Sequence, residues 1–501
     1  MMIAPASKRS PSTLAAVLAT ACLLSSPSPA NAQAACPNNL TPAYNPPVVA
    51  EGWKAQLVAT GLSRPRGIKF DSAGNLLVVE PGVGLTRLTF EDYGGTCLVV
   101  KEKKTIIPEP GLNHGLDLSD DGTTLYVSTV EYADRYTYDA ATATVSNRTR
   151  LVTGMSHATG GHSTRTLLLS RKYPDLLLVS RGSGPNIDPL AQDVSTGVSQ
   201  IRAFNVSEAA LAANGGQPYR YATSGTLVGW GLRNSVGVGE HPLTGEIWSV
   251  ENSADNIFRA GVDVHEDNPG EELNFHGVPV PDEDNPNPFL GANYGYPLCL
   301  ALWNTTDFPN IDSLTVGKQF ALNDTTASDE WCDANTTPPR ITFRAHTAPL
   351  DIKFSPAGDR AFVTFHGSWN RDQPAGYSLS YLDFDTTTAQ PTAPANSLDA
   401  VRNILSAPDV SICARWGGGP ACLRPVGLAW DASGERLFVS SDATGEVWVV
   451  TQAAGGDGGE VTSVTSRAAG VRRATPVPAK FGRGWMVVGA GAGAGMAGWM
   501  R

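Results

Sequence analysis

Residues 66–80 read RGIKFDSAGNLLVVE, and residues 426–441 read VGLAWDASGERLFVSS. Each is an apolar-rich strand, a reversal through Asp and Gly, and a return run that is apolar on both faces. Asp, Gly and Pro supply the backbone angles a tight reversal needs. An all-apolar return run suits a strand buried between neighbouring sheets. Four further stretches repeat the plan: HGLDLSDDGTTLYVST (114–129), RTLLLSRKYPDLLLVS (165–180), VGVGEHPLTGEIWSVE (236–251) and LDIKFSPAGDRAFVTF (350–365). One such stretch is an ordinary hairpin, but six in one chain predict an all-β fold, the six-bladed β-propeller. Their starts lie from about fifty to more than one hundred residues apart, which leaves room for two outer strands per blade. A parallel β-solenoid would need shorter and more regular repeats. The surplus between 251 and 350 is expected to be loop, a decorated surface insertion placed to roof a site.

The composition agrees with this reading. Among 501 residues are 52 Gly and 36 Pro, too many helix breakers for a helical bundle or a long coiled coil. With 41% hydrophobic residues the chain can fill a large core. Lys and Arg number 37 against 48 Asp and Glu, an acidic balance that argues against general nucleic-acid binding.

Both ends differ from the middle. Residues 1–32 read as a secretory signal: Lys8-Arg9, an apolar run over 13–24, and the small-x-small site Ala30-Asn31-Ala32. The run is too short to span a bilayer comfortably, so no stable membrane span is expected. Removing the signal removes Cys22 and leaves Cys36, Cys97, Cys299, Cys332, Cys413 and Cys422. An even count in an exported chain points to disulfides. Sequence proximity favours Cys299–Cys332 and Cys413–Cys422, with Cys36–Cys97 by elimination. Six sequons, at Asn39, Asn147, Asn205, Asn304, Asn323 and Asn335, suit a glycosylated extracellular protein. Residues 451–501 are Gly/Ala-rich with scattered Arg and read as a disordered appendage. A glycolipid-anchor signal is the alternative for that tail. The propeller domain is therefore placed at 33–450, where 29 basic and 46 acidic residues leave a net charge of −17.

The hairpin geometry brings certain residues together. Those just before the first inner strand and just after the second emerge at one end of the central channel. The positions collected there are Arg64, Arg66, His114, His162, Arg165, Arg181, Arg233-Asn234, Glu251-Asn252-Ser253, His366-Gly367-Ser368-Trp369, Arg424 and Asp442, with Arg371 close behind. Guanidinium forks bind carboxylates and phosphates bidentately, so the set predicts a concave pocket for a small polyanion. The competing reading is that these arginines bridge blades through salt links to Glu80, Glu131 and Glu251. His162 and His366 are the candidates for proton transfer, whereas His241, in a hairpin turn, is expected at the surface. Asp267-Asn268-Pro269-Gly270-Glu271-Glu272 offers hard oxygen ligands but lacks EF-hand spacing, and is expected to be an acidic surface loop. No P-loop, HExxH or GxSxG motif is present, so redox work would need a cofactor other than a nucleotide.

An ordered set of motifs carries a resemblance over nearly the whole chain to about 450. They are Gly61-Leu62-Ser63-Arg64-Pro65-Arg66-Gly67, Gly231-Leu232-Arg233-Asn234-Ser235-Val236-Gly237, Glu251-Asn252-Ser253-Ala254-Asp255-Asn256, Glu271-Glu272-Leu273-Asn274 and Asn293-Tyr294-Gly295-Tyr296-Pro297. Together they resemble the soluble quinoprotein sugar dehydrogenases. His366-Gly367-Ser368-Trp369-Asn370-Arg371 looks most like the sorbosone and fungal pyranose dehydrogenase branch. The resemblance implies a propeller that binds pyrroloquinoline quinone (PQQ) and Ca²⁺ at the channel mouth and oxidises a pyranose or ketoaldose at C1. It implies His162 as general base and Arg233 as the group that polarises the cofactor's reacting carbonyl. It implies Arg64, Arg66, Arg233, Asn234, His366, Trp369 and Arg424 as cofactor contacts. The backbone carbonyls of Ser253 and Ala254 would ligate the metal. Two positions depart from the bacterial glucose dehydrogenases, which carry Lys where this chain has His366 and Gly-Pro where it has Ser253-Ala254. No haem domain is visible in the tail, so electrons would leave to an external acceptor such as a cytochrome, a quinone or another secreted oxidoreductase. Two other functions fit a propeller: a Ca²⁺-dependent lactonase, which needs side-chain metal ligands at the axis, and a non-catalytic carbohydrate-binding propeller, which needs aromatics in each blade.

Overall fold

All six repeats fold as antiparallel hairpins. Their paired strands are Ile68–Phe70 with Leu76–Glu80, Leu112–Leu118 with Thr124–Thr129, Leu167–Leu169 with Leu176–Arg181, Ser235–Glu240 with Ile247–Glu251, Pro349–Phe354 with Arg360–Phe365, and Pro425–Trp430 with Arg436–Ser441. The computed structural model describes residues 35–158, 160–284, 286–322, 326–413 and 421–453. Two units divide the chain, Met1–Pro37 and Asn38–Arg501, and of the first only 35–37 are described. The expected signal segment with Cys22, the sequon Asn323 and the tail from 454 lie outside the described residues.

Within the second unit each hairpin is the inner half of a four-stranded blade. Blade 1 runs in sequence order from Ile68–Phe70 out to Leu98–Ile107. The second, third and fifth blades add short edge strands, so Tyr219–Arg220 extends blade 2 and Ala292–Asn293 extends blade 3. Blade 6 is closed by the start of the chain: Trp53–Ala59 pairs antiparallel with Glu446–Gln452 and becomes its outermost strand.

The same devices recur where neighbouring blades meet. A methyl group on Gly67, Gly115 or Gly427 would lie 2.1, 2.2 or 2.3 Å from the carbonyl oxygen of His114, Arg165 or Arg66 on the next inner strand. The innermost strands can therefore approach this closely only with glycine there. Hydroxyls on the inner strands add hydrogen bonds between blades. Ser128 Oγ donates to the Arg165 carbonyl (2.6 Å), Thr364 Oγ to Val426 (2.7 Å) and Ser440 Oγ to Arg66 (2.7 Å). Thr166 Oγ donates to the Val236 carbonyl. Apolar clusters fill the wedges between successive blades, as Leu77, Val79, Leu116, Leu118 and Val127 do between blades 1 and 2.

Three expectations need correction. The 251–350 excursion is more than loop. It supplies blade 4 with Glu271–Gly277 and Ile341–Phe343, and folds a hairpin (Cys299–Ala301 with Gln319–Ala321) and a helix, Asp329–Asn335. Its Tyr296, Leu300, Leu302, Phe308 and Phe320 form an apolar core with Ala191 and Val198 of the segment after blade 3's second strand, so its length reflects packed structure rather than a surface decoration. The 267–272 segment is not an acidic surface loop, because Asn268, Glu271 and Glu272 are buried. His241 is fully buried: its Nε2 lies 3.0 Å from the Gly358 carbonyl and its ring packs on Phe354, pinning the blade 4 turn to blade 5.

Cys299–Cys332 and Cys413–Cys422 are disulfides, and Cys36 and Cys97 are disulfide-bonded too. Among the described residues no helix is long and apolar enough to cross a membrane.

Candidate active site

The loop that follows the second inner strand of blade 3, RGSGPNID at 181–188, organises the mouth. Its Ser183 N–H donates to the Arg233 carbonyl (2.8 Å), and the His162 N–H donates to the Ser183 carbonyl (3.1 Å). His162 Nδ1 lies 3.0 Å from both the carbonyl oxygen and the hydroxyl oxygen of Ser183. The Ser183 hydroxyl proton is committed to the Pro185 carbonyl, so both neighbours of Nδ1 are acceptors. Nδ1 therefore carries the hydrogen and Nε2 keeps its lone pair, the arrangement of a general base. Burial first, then the Arg233 charge, pushes His162 down to about 3, so the imidazole stays neutral. Gly182 lets the loop pass close: a methyl there would meet Asn234 Oδ1 at 2.5 Å and His162 Cβ at 2.9 Å.

Arg233 is buried and held at every nitrogen of its guanidinium. Nε donates to the Asn186 carbonyl (3.0 Å), Nη1 to the Asn252 carbonyl (3.2 Å), and Nη2 to Asn186 Oδ1 (2.8 Å) and Asp255 Oδ2 (3.0 Å). Its backbone N–H donates to buried Glu251 (2.6 Å). Burial works to raise the Asp255 carboxyl, but a hydrogen bond from His346 and the Arg233 charge hold it below the ordinary range. His346 in turn sits against the His265 carbonyl through Nε2 (2.5 Å) and against Asp255 through Nδ1 (3.4 Å).

Ser253 and Ala254 are buried in the turn after blade 4's second strand. Glu271 fixes this turn, accepting from the Ser253 N–H at 2.6 Å and the Ala348 N–H at 3.1 Å. Among the described residues neither the Ser253 nor the Ala254 carbonyl accepts a hydrogen bond. Two buried, unused carbonyl oxygens are the donor chemistry that a hard divalent cation takes. Among the described residues no three His, Cys, Asp or Glu side chains gather as a metal cage.

A second cluster faces the channel from blades 1, 5 and 6. Asp442 accepts from Arg66 Nη1 (2.9 Å) and His366 Nε2 (2.8 Å). Burial opposes ionisation of Asp442, but His366, Arg66 and Arg424 outweigh it and hold the carboxyl far below its usual value. Burial, then Arg424, keeps His366 below the usual histidine value. Arg66 Nε also donates to Nδ1 of buried His114 (3.3 Å). Arg424 donates to the carbonyls of His366 (3.2 Å) and Gly367 (2.8 Å) over the ring of Tyr377. Arg64 is exposed at the rim, in the left-handed backbone region (φ 48), 3.4 Å from the Pro81 carbonyl. Trp369 stays 39% exposed, and Asn234 is buried beside Arg233.

The expected cationic set thus divides. Arg66, Arg233 and Arg371 have carboxylate partners, but these are Asp442, Asp255 and Asp267 rather than Glu80, Glu131 or Glu251. Arg165 and Arg181 turn away from the mouth. They are buried behind it and donate to the carbonyls of Met155, His162 and Thr164, and of Ser156 and Thr196. Among the described residues Arg64 and Arg424 donate to main-chain carbonyls and hold no carboxylate directly, which leaves their guanidiniums to meet an anion. Asn186 and His346 belong to the site without any motif that marks them, and Asp255 stands in a motif that gives it no role. The Gly-Ser-Gly-Pro-Asn run after a strand was the available signal, since such a turn at a channel mouth marks a loop with its own path.

Residues 47–453 match a family model described as TrAA12-like. The chain belongs to the TrAA12-like family. This TrAA12-like chain is 49% identical over 433 residues to a PQQ-dependent sugar dehydrogenase of Hypocrea jecorina, covering 86% of this chain and 95% of that one. It is 38% identical over 431 residues to a PQQ-dependent pyranose dehydrogenase of Coprinopsis cinerea, covering 84% of this chain and 56% of that longer protein. The calcium structure of the Trichoderma reesei family AA12 enzyme superposes with a TM-score of 0.78 at 50% identity, covering 83% of this chain and all (100%) of that one. The holo form of the C. cinerea pyranose dehydrogenase PQQ domain superposes at 0.75 with 37% identity, covering 83% and 99%.

Proposed function

We propose that this chain is a PQQ- and Ca²⁺-dependent dehydrogenase that oxidises a pyranose or ketoaldose sugar at C1. The observation that carries the reading is the His162–Ser183–Arg233 arrangement: a neutral base with its lone pair fixed on Nε2, tied through the Ser183 backbone to the main-chain carbonyl of Arg233, a residue whose side chain is buried. The named relatives support the cofactor, and their similarity spans the described propeller. Arg64 and Arg424 would hold the cofactor's carboxylates, with Arg66, His366, Asn234 and Trp369 around it. The Ser253 and Ala254 carbonyls would hold the calcium ion. When bound, PQQ supplies the two-electron acceptor for hydride and calcium a Lewis acid upon it.

The chain's own residues do the rest. His162 Nε2 takes the proton from the sugar hydroxyl as hydride leaves the same carbon. The Ser183 carbonyl then stabilises the imidazolium through Nδ1–H. Arg233 presents a fixed positive charge that needs no reorganisation as negative charge develops. Electrons leave to an external acceptor: a cytochrome, a quinone or another oxidoreductase. The disulfides suit a protein that works outside the cytosol, in keeping with the expected signal segment at 1–32. The test mixes the purified protein with PQQ and Ca²⁺, adds a panel of sugars and follows reduction of a dye. Sugar-dependent dye reduction that needs both additions is the expected result; no reduction with any sugar would overturn the reading.

A further inference from the structure

Arg233 lies just before the first strand of blade 4, and Ser253-Ala254-Asp255 just after the second, so one blade carries both. The residue that joins them comes from the neighbouring blade. Asn186, in the 181–188 loop of blade 3, makes five hydrogen bonds. Its carbonyl accepts from Arg233 Nε (3.0 Å) and the Tyr296 hydroxyl (3.0 Å). Its Oδ1 accepts from Arg233 Nη2 (2.8 Å) and the Asp255 N–H (2.9 Å), and its Nδ2 donates to the Asp255 carbonyl (2.6 Å).

We propose that Asn186 is a positioning residue that locks the Arg233 guanidinium to the 253–255 turn, so that the cofactor-facing cation and the metal-holding carbonyls are set as one unit. The inference rests on the dehydrogenase reading above and adds a residue to it. A primary amide pairing with both the N–H and the C=O of one peptide residue fixes position and orientation together, as two rungs of a strand ladder do. Only Asn supplies an acceptor and a donor at this reach: Asp lacks the donor and Ala lacks both. Asn186 is itself exposed, so truncating it leaves no cavity in the core. Arg233 would still hold Asp255 Oδ2 and the Asn252 carbonyl, so the restraint is loosened rather than the site dismantled. A metal bound at 253–254 orders Asp255, and through the Asn186 amide that order reaches Arg233. By linkage, cofactor and metal then favour each other's binding.

The experiment uses the full protein as wild type, Asn186→Ala and Asn186→Asp. It measures PQQ affinity by absorbance titration at saturating Ca²⁺, the Ca²⁺ half-saturation of that binding, and the melting temperature with neither added. In Asn186→Ala, PQQ affinity is expected to fall about ten-fold, the worth of one hydrogen bond to a charged group. Ca²⁺ half-saturation should rise with it while the melting temperature stays unchanged. Unchanged PQQ affinity and half-saturation would overturn the proposal. So would a melting temperature that falls in step with affinity, which assigns Asn186 a merely structural part. If the alanine variant does not fold, the isosteric Asn186→Asp, which lacks the Nδ2 donor, carries the same test: wild-type half-saturation there overturns the proposal. Wild-type protein that binds no PQQ overturns the dehydrogenase reading itself, an outcome distinct from the others.

Discussion

At the scale of single residues, the chemistry depends on how few atoms are free to move. His162 has both its backbone N–H and its Nδ1 directed at Ser183, so the imidazole cannot turn over to present the other nitrogen without losing that contact. Truncation of His162 to Ala should lower kcat by at least about a hundred-fold, the ordinary worth of a general base, while PQQ titration shows near-normal affinity. Retained turnover would remove His162 from the base role. The pH profile offers a separate check. A free histidine protonates near 6.5, but burial and Arg233 hold His162 to about 3. The basic form therefore persists well below 6.5. The acid limb of kcat/KM is expected to stay flat through the ordinary histidine range when rates are taken before the fold responds. A limb titrating near 6.5 would show that the cofactor-loaded site leaves this imidazole in an ordinary environment.

At the scale of elements, the inner strands show how a sequence repeat becomes a ring. Gly427 stands 2.3 Å, by its would-be methyl, from the Arg66 carbonyl, and that oxygen also accepts the Ser440 hydroxyl. Gly427→Ala should therefore push blades 6 and 1 apart and cost about 1–3 kcal/mol, as overpacking does. Ser440→Ala should cost about 2 kcal/mol, because its buried hydroxyl donates to that carbonyl and also accepts the Gly427 N–H at 2.9 Å. Urea unfolding of the two variants checks both losses, and a wild-type midpoint for either would refute its contact. These contacts also show what the sequence made legible. The apolar runs and turn residues of the six hairpins are local signals, repeated often enough to specify blades and to say which residues emerge at the mouth. Partner choice is not local. Asn186 meets Asp255 across 69 positions of sequence, and Arg371 meets Asp267 across 104. Those pairings follow from the paths of the mouth loops, which no periodicity encodes. For the same reason the pattern puts Arg165 and Arg181 among the mouth residues, although both turn behind the pocket. His241 failed differently, because a turn at the channel's far end packs against the next blade instead of facing solvent.

At the scale of the whole ring, stability depends on the seam at which the start of the chain completes blade 6. Five blades take their four principal strands in a single pass along the chain, but blade 6 must wait for Trp53–Ala59 to lie beside Glu446–Gln452. The seam runs from Trp53 opposite Gln452 to Ala59 opposite Val447, and the Ala453 N–H donates to the Gly52 carbonyl at 2.8 Å. Val449 and Val450 are fully buried there, in the clusters that join blade 6 to blades 1 and 5. Deleting 446–453 would remove the strand that both Arg436–Ser441 and Trp53–Ala59 pair with, and would expose two apolar faces at once. Such a protein is expected to lose cooperative thermal unfolding rather than to show a modestly lower melting temperature. A circular permutant separates loss of closure from loss of sequence. Gly52 and Ala453 are already hydrogen-bonded, so a short linker can join the chain there, and the exposed turn at Gly215-Gly216 offers a place to open it. The permutant keeps the four principal strands of every blade, gives up Val48–Val49 at the edge of blade 5, and makes the seam covalent. It should melt cooperatively at or above the wild-type temperature, because the unfolded chain no longer has to bring its two ends together. A permutant that folds poorly, beside a truncated chain that still melts cooperatively, would show that the seam is not what holds the ring closed.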